Sequence, residues 1–349
     1  MRIDIVGGGS LGLLFFSKLA LSWQTDSEYS GAQSHKLHLW TRTKAQAEYI
    51  REEGIAFQEG QDQPVHSLVP HSIPGCLVAA VEESVLTANS DQGIITEKAD
   101  LILLTVKQQH IHSELIQWLS ERMHKDTLII TMQNGLRTDS IWPGAWQVYV
   151  GVTTEGAKKL SPVSVVHSGH GQTYIGNGAT LYGSSAVCGQ ATTMDGYEEG
   201  TIAFLLKSLT KAGFIATLSK DIEIEVYRKL TINAVINPLT ALWRVSNGEL
   251  LASEARIAIM RQLFDEAIAV YGKNDIGWSE AWWNDILQVC RATASNTSSM
   301  LADVLNHRST EIDWINGAIV GLAQRVQIEA PAHEWMCKLI ESLTVEEAD

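Results

Sequence analysis

The strongest constraint on this chain lies at its start. Ile3-Asp4-Ile5-Val6 reads as a short strand, Gly7-Gly8-Gly9-Ser10-Leu11-Gly12 fits G-x-G-x-x-G, and Leu11 to Leu21 continues as an apolar stretch of helical character. Strand, glycine turn, helix is the opening of a dinucleotide-binding βαβ unit. Without side chains, such a turn lets the backbone approach a pyrophosphate, whose charge then meets the helix N-terminus. Gly7, Gly8, Gly9, Ser10, Leu11 and Gly12 are therefore candidate cofactor-binding positions. The plainer alternative, a glycine turn with no ligand, is disfavoured because the motif sits between a strand and a helix.

After a polar segment, Ser22 to Lys36, the alternation Leu37-His38-Leu39-Trp40 predicts a second strand ending at Thr41-Arg42-Thr43-Lys44. An NAD site places an acid at this strand end for the ribose hydroxyls, but here no acid occurs until Glu48. Arg42, with Lys44 beside it, suits a 2′-phosphate instead, which favours NADP(H). A solvated basic loop is the bland reading of the same pair; its position raises it above that.

Downstream, Ala45 to Glu53 is helical with Gly54 as its stop, and residues 58 to 98 carry strand-like patches near Leu77 to Val81 and a turn at Asp91-Gln92-Gly93. Asp100 to Val106 and Thr127 to Met132 are near-continuous apolar runs of the buried parallel type, separated by a helix over Ile111 to Arg122. Polar residues at strand ends line the ligand crevice of open α/β sheets, which makes Lys107 and Gln133-Asn134-Gly135 candidates. From Val148 to about Tyr182, alternation with many glycines predicts antiparallel strands added to this sheet. Ile202 to Ala212 and Phe214 to Leu218 supply a helix and a last strand. Beyond 220 only helical periodicity remains, over Asp221 to Ile236, Ser253 to Tyr271, Ser279 to Ala292, Asn296 to Leu305, Glu311 to Gln327 and Ala332 to Leu343. The expected division is a doubly wound α/β nucleotide-binding domain over 1–219 and an all-α domain over 220–349.

Composition narrows the function classes. Lys plus Arg number 26 against 40 Asp plus Glu, a formal charge of -14, so a broad nucleic-acid surface is not expected. No run of 18 or more apolar residues predicts a membrane span, and the start reads as mature structure, so a cytoplasmic location is expected. Cys76, Cys188, Cys290 and Cys337 are scattered without metal-ligand spacing, and read as packing thiols with no metal site.

In the helical half, Lys229, Asn233 and Asn237 recur at i, i+4 and i+8, within a stripe of about 80° on one helix face. Apolar Ile232, Val235 and Ile236 surround that stripe, and Pro238 is expected to break or kink the helix just after it. An exposed polar face is the alternative, but asparagine is a poor helix former and its repetition here needs a reason. Further on, capping accounts for Thr310 and Asp313 and leaves Ser298-Ser299-Met300 unexplained.

Taken together these motifs resemble the ketopantoate reductase (2-dehydropantoate 2-reductase) family. The resemblance runs through the glycine turn, Thr105-Val106-Lys107, Gln133-Asn134-Gly135, Gly151-Val152-Thr153-Thr154 with Gly156-Ala157, and His167 with Gly169, Gly171 and Gly176. It continues through Lys229, Asn233, Asn237-Pro238-Leu239-Thr240-Ala241, Asn247-Gly248-Glu249-Leu250, Ser298-Ser299-Met300, Asp303, and Thr310 to Asp313 with Ile315-Asn316-Gly317. Departures are Tyr227 where tryptophan is expected and added length in 22–36 and 58–98.

The resemblance implies a Rossmann-type domain followed by a helical domain like the C-terminal domain of 6-phosphogluconate dehydrogenase. It also implies NADPH-dependent reduction of 2-dehydropantoate to (R)-pantoate in pantothenate and coenzyme A biosynthesis. Lys229 would be the general acid; Asn233, Asn237, Asn247, Ser299 and Asn134 would bind substrate. The glycine turn, Arg42, Lys107, Asn134, Ala157 and Glu311 would contact NADPH. Its partner would be a small 2-oxo acid, and the protein a monomer or homodimer. Two alternatives stay open: a reductase of another 2-oxo acid, and a non-catalytic NADP-binding redox sensor, which would have no use for Lys229, Asn233, Asn237 and Ser299.

Overall fold

The computed structural model describes residues 1–25, 35–60, 63–82, 97–137, 141–178, 181 and 196–343. The chain separates into two compact units, Met1–Gln133 with Ile141–Ile222, and Asn134–Ser140 with Glu223–Asp349. In chain order the first unit holds β1 (Arg2–Val6), α1 (Ser10–Thr25), β2 (Lys36–Thr41), α2 (Lys44–Glu53), β3 (Ile55–Glu59), β4 (Val65–Leu68), β5 (Cys76–Ala80) and β6 (Ala99–Leu104). It continues with α3 (Ser113–Ser120), β7 (Met123–Thr131), β8 (Gln147–Thr153), β9 (Gly156–Ser161), β10 (Ser164–Gly169), β11 (Gln172–Asn177), α4 (Gly196–Lys211) and β12 (Ile215–Leu218).

Eight strands form one sheet in the order β12-β11-β8-β7-β6-β1-β2-β5. From β5 to β8 all neighbours run parallel, and the order reverses at β1, the switch point of a doubly wound sheet. Both the glycine turn after β1 and Thr105 to Lys107 after β6 leave the sheet there. The Leu101–Leu104 and Leu128–Ile130 segments are almost completely buried, as their unbroken apolar runs require.

The glycine-rich stretch after residue 148 departs from expectation. β8 and β11 join the large sheet, but β9 and β10 do not; they pair with β3 and β4 in a second, four-stranded sheet of order β4-β3-β10-β9. Alternating residues specify which face of a strand is buried but not which strand it pairs with. The pairing follows from β3, which lies parallel to β10 with Ala56 opposite Ser164. Helix α1 packs against β1 and β2 on one side and β3, β9 and β10 on the other. That explains why Leu13, Leu14, Phe15, Phe16, Leu19 and Ala20 are all buried, with no polar face to give the helix a clear amphipathic pattern. The turn at Asp91-Gln92-Gly93, most of the Ser22 to Lys36 segment and Cys188 lie outside the described residues.

The second unit holds α5 (Ile222–Trp243, its first residue counted with the first unit), α6 (Glu254–Lys273), α7 (Ala281–Ala292), α8 (Ser299–Leu305), α9 (Ile312–Arg325) and α10 (Pro331–Glu341). Ser253 caps α6 by accepting the Arg256 N–H, and Ser298 caps α8 by accepting the Leu301 N–H. Ser298 therefore has a capping role that the sequence reading assigned only near Thr310. There the cap position is Glu311, while the Thr310 hydroxyl accepts the Ile312 N–H at 3.5 Å. Of the two outcomes expected at Pro238, a break does not occur. The proline lies inside α5, and the helix runs on to Trp243.

The reason lies outside the helix. A proline has no N–H for the carbonyl four residues back, here that of Ala234. The Asn316 side chain donates to that carbonyl at 3.0 Å, so the helix continues with its hydrogen bonding restored. Among the described cysteines, burial pushes the Cys76 and Cys337 thiols to about 12 and Cys290 to about 11, which suits packing rather than reactivity. No helix of the described residues is long and apolar enough to cross a membrane.

Candidate active site

The candidate residues fall into two groups, one in each unit. In the first unit, Gly7 takes φ +127°, a conformation L side chains rarely adopt, and its N–H donates to the Trp40 carbonyl at 2.8 Å. Thr105 Oγ1 lies 3.1 Å from the carbonyl oxygens of both Val6 and Gly7, pinning the end of β1 to the end of β6. A Cβ on Gly12 would fall 1.8 Å from the Gly7 oxygen, so only glycine lets the helix start this close to the turn. At Gly9 a Cβ would meet nothing within 4 Å, so the turn is open on that side. The first turn of α1 contains no acidic residue, which leaves its positive dipole end uncompensated by side chains. An open glycine cradle beside such a helix start fits the pyrophosphate of a dinucleotide.

Two residues that the motif does not reveal orient this turn. Gln46 Nε2 and Lys159 Nζ both donate to the Gly8 carbonyl at 2.8 Å. Gln46 lies in the first turn of α2, just beyond the Thr43 cap, so the end of β2 is tied to the glycine turn. Arg42, directly after β2, is exposed and makes no ion pair among the described residues; Lys44 instead lies 3.6 Å from Glu48. Lys107 precedes a 3-10 turn over Gln108–His110. Burial, followed by the charges of Arg42 and Lys107, holds His110 below its ordinary value, so both cations act on one locality. Ala157, on β9, is half-buried opposite His167.

Near this region, Glu59, His167 and His170 bring possible ligand atoms within 4.8 Å of one another. Lys18 is already there, with its ammonium 2.9 Å from Glu59 and 3.4 Å from His167 Nδ1. On the far side of the ring, His167 Nε2 lies 2.6 Å from Glu155. Burial alone would raise the Glu59 carboxyl, but the hydrogen bond and charge of Lys18, with His167 behind them, hold it below the usual range. Lys18, on α1, thus places a cation within this cluster.

In the second unit, Lys229, Asn233 and Asn237 share one side of α5, the first two half-buried and Asn237 buried. Burial brings the Lys229 ammonium from 10.5 down to about 8, with the Glu311 carboxylate acting in the opposite sense. Glu311 is itself buried and accepts from Asn134 Nδ2 at 3.2 Å. The Asn134 segment is held in this unit by Leu136, whose N–H donates to the Trp314 carbonyl at 2.8 Å. A Cβ on Gly135 would meet that same carbonyl at 2.3 Å.

Asn247 is buried and donates to Thr293 Oγ1 at 2.8 Å, while its Oδ1 has no hydrogen-bond partner among the described atoms. Ser299 is exposed at the start of α8; its neighbour Ser298 is the buried serine, 2.7 Å from Thr240 Oγ1. Tyr227 packs against Tyr271 with ring centroids 5.2 Å apart, and burial pushes its hydroxyl up to about 12. Lys229, Asn134 and Glu311 are thus linked by charge and hydrogen bond. Among the described residues, neither Asn247 nor Ser299 hydrogen-bonds to any of the three.

The family models for ketopantoate reductase PanE/ApbA match residues 3–180, and its C-terminal counterpart matches residues 221–344. The chain belongs to the ketopantoate reductase family. It is 30% identical over 346 residues to the 2-dehydropantoate 2-reductase of Bacillus subtilis (strain 168), covering 98% of this chain and 97% of that protein. The crystal structure of a probable 2-dehydropantoate 2-reductase from Bacillus subtilis superposes with a TM-score of 0.69 at 29% identity, covering 98% of this chain and all of that one. A ternary structure of D-mandelate dehydrogenase with NADH and anilino(oxo)acetate has the same fold, with a TM-score of 0.74 at 20% identity and coverage of 99% and 98%. A PanE/ApbA family ketopantoate reductase from Ralstonia eutropha JMP134 likewise shares the fold, with a TM-score of 0.75 at 21% identity and coverage of 99% and 98%.

Proposed function

We propose that this chain reduces 2-dehydropantoate to (R)-pantoate with NADPH, the reductive step toward pantothenate and coenzyme A. The observation that carries the reading is Lys229, a lysine drawn into the protein on one line with Asn233 and Asn237 and accompanied by the buried Glu311 carboxylate. With its ammonium near 8, it is about ten to one protonated at pH 7 and still close enough to neutrality to release a proton.

Gly7 to Gly12, Arg42, Lys107, Asn134, Ala157 and Glu311 would hold the cofactor, which when bound supplies a hydride. As the keto oxygen gains negative charge, Lys229 Nζ stabilises it electrostatically and then delivers a proton to it, leaving the hydroxyl of the product. Asn233, Asn237, Asn247 and Ser299 bind the substrate's carboxylate and hydroxyl through neutral groups. The Asn247 Oδ1 left without a partner is an acceptor suited to a hydroxyl.

Steady-state NADPH oxidation with 2-dehydropantoate, set against a panel of other 2-oxo acids, tests this reading. The expected result is the highest kcat/KM for 2-dehydropantoate, with Lys229→Ala reducing kcat by roughly 10²-fold or more, the usual scale for loss of a general acid. A higher kcat/KM with another 2-oxo acid would replace the substrate but keep the chemistry. NADPH binding with no turnover of any 2-oxo acid would leave the redox-sensor reading. NADH is included in the panel because the D-mandelate dehydrogenase structure of the same fold contains it.

A further inference from the structure

The line Lys229, Asn233, Asn237 ends one residue before Pro238, so it depends on α5 keeping its helical course up to the proline. Proline withdraws the N–H that would serve the Ala234 carbonyl, and Ala234 is fully buried, so water cannot easily replace it. The missing donor is supplied from 82 positions along the chain. Asn316, fully buried on α9, places Nδ2 3.0 Å from the Ala234 oxygen and 3.0 Å from His333 Nδ1. Both N–H groups of the amide are thereby used. His333 is fixed in the tautomer this requires, since its Nε2 lies 3.0 Å from the Leu263 carbonyl on α6 and donates to it. Glu266, also on α6, accepts the backbone N–H groups of Ala332 and His333 at 3.0 and 2.9 Å and so seats the ring.

On the other side of the proline, the Thr240 hydroxyl lies 3.0 Å from the Ile236 carbonyl and 2.8 Å from that of Asn237. It also meets Ser298, the cap of the helix that begins at Ser299. The turn carrying Asn233 and Asn237 is therefore held on one side by Asn316 from α9 and on the other by Thr240 of α5 itself, whose hydroxyl is braced by Ser298.

We propose that Asn316 is a positioning residue for the substrate line: its amide replaces the N–H that Pro238 lacks, and so keeps Asn233 and Asn237 in register with Lys229. The proposal rests on the assignment of those three residues to the substrate. Its distinguishing mark is that Asn316 matters because of Pro238, not merely because it fills space.

The test is a four-protein cycle of wild type, Asn316→Leu, Pro238→Ala and the double variant. Each is measured for urea midpoint, for NADPH dissociation constant by fluorescence titration, and for kcat and KM with 2-dehydropantoate. Asn316→Leu is expected to raise KM by roughly tenfold, the effect of leaving one buried carbonyl unpaired, with the NADPH constant within about twofold of wild type. It should also lower the urea midpoint. In the Pro238→Ala background residue 238 has its own N–H for Ala234, so the same substitution should keep only the smaller loss owed to His333 Nδ1. Equal losses in both backgrounds, in midpoint and in KM, would overturn the proposal, as would a rise in the NADPH constant matching the rise in KM. If Asn316→Leu alone does not fold, the double variant is expected to be recovered folded; failure of both counts against the proposal. Should the wild type turn over no 2-oxo acid, the functional reading fails, while the midpoint cycle still decides whether Asn316 and Pro238 are coupled.

Discussion

Replacing Glu311 with glutamine isolates the electrostatic control of Lys229. The substitution keeps an oxygen that can accept from Asn134 Nδ2, so the 3.2 Å hydrogen bond can persist while the charge is lost. Burial lowers the Lys229 ammonium from 10.5 to about 8, and Glu311 raises it against that effect. An opposite charge in such a site moves a pKa by roughly one to three units, so its loss should bring Lys229 down by about one unit or more, to near 7. Since the acid form is the active one for reduction and exists below the pKa, activity is lost as pH rises. The wild type should lose activity above about 8, roughly tenfold per pH unit, and Glu311→Gln should begin the same decline about one unit earlier. At pH 8 the protonated fraction would fall from about one half to about one tenth. The assay is kcat/KM for 2-dehydropantoate at saturating NADPH between pH 6 and 9.5. Lys229→Arg, whose guanidinium stays charged throughout, serves as control: a low rate with no alkaline decline. An alkaline limb that stays in place or moves upward in Glu311→Gln would refute the reasoning.

Three further outcomes follow from the geometry. Arg42→Ala should weaken NADPH binding at least tenfold while changing NADH binding by less than about twofold, and an equal effect on both would remove the 2′-phosphate assignment. Gly12→Ala, whose Cβ would lie 1.8 Å from the Gly7 oxygen, should cost roughly 1–3 kcal/mol in urea unfolding and abolish dinucleotide binding; a folded variant that binds normally contradicts the close approach. Burial lowers His38, which also faces Asp4, Arg2, Lys36 and Glu97, and His333, which sits against Asn316 and the Leu263 carbonyl, each to about 4. Both are then neutral in the folded protein while the unfolded chain takes up protons below about 6.5. Stability should therefore be full above that pH and fall as pH drops toward 4, by up to about 1.4 kcal/mol per unit for each ring. A urea midpoint unchanged between pH 7 and pH 5 would show that neither ring is held neutral.

What could be read from the sequence follows from the range of each interaction. The glycine turn was legible because its determinants are consecutive: an alternating strand, residues without a Cβ, and a helix start, all within Ile3 to Leu21. Asp100 to Val106 and Thr127 to Met132 were legible because a strand buried on both faces must be apolar throughout. Lys229, Asn233 and Asn237 could be placed on one face because helical period alone decides it. Pro238 marks the limit of this kind of reading. Taken locally, a missing N–H and a ring clash end a helix, and nothing within several turns offsets them. The compensation comes from Asn316, whose own neighbours Ile315 and Gly317 say nothing of a buried carbonyl elsewhere. The same holds for Lys159 and Gln46, which meet at the Gly8 carbonyl from β9 and α2. It holds too for β9 and β10, whose alternation could not show that they pair with β3 rather than with the large sheet. Proline in a helix interior and asparagine in an apolar helix are each unfavourable alone, and here an N–H of the asparagine serves the carbonyl that the proline leaves open. Two such violations in one sequence are therefore a reason to look for a contact between them, and in this chain that contact is made at Ala234, between the two asparagines proposed to bind the substrate.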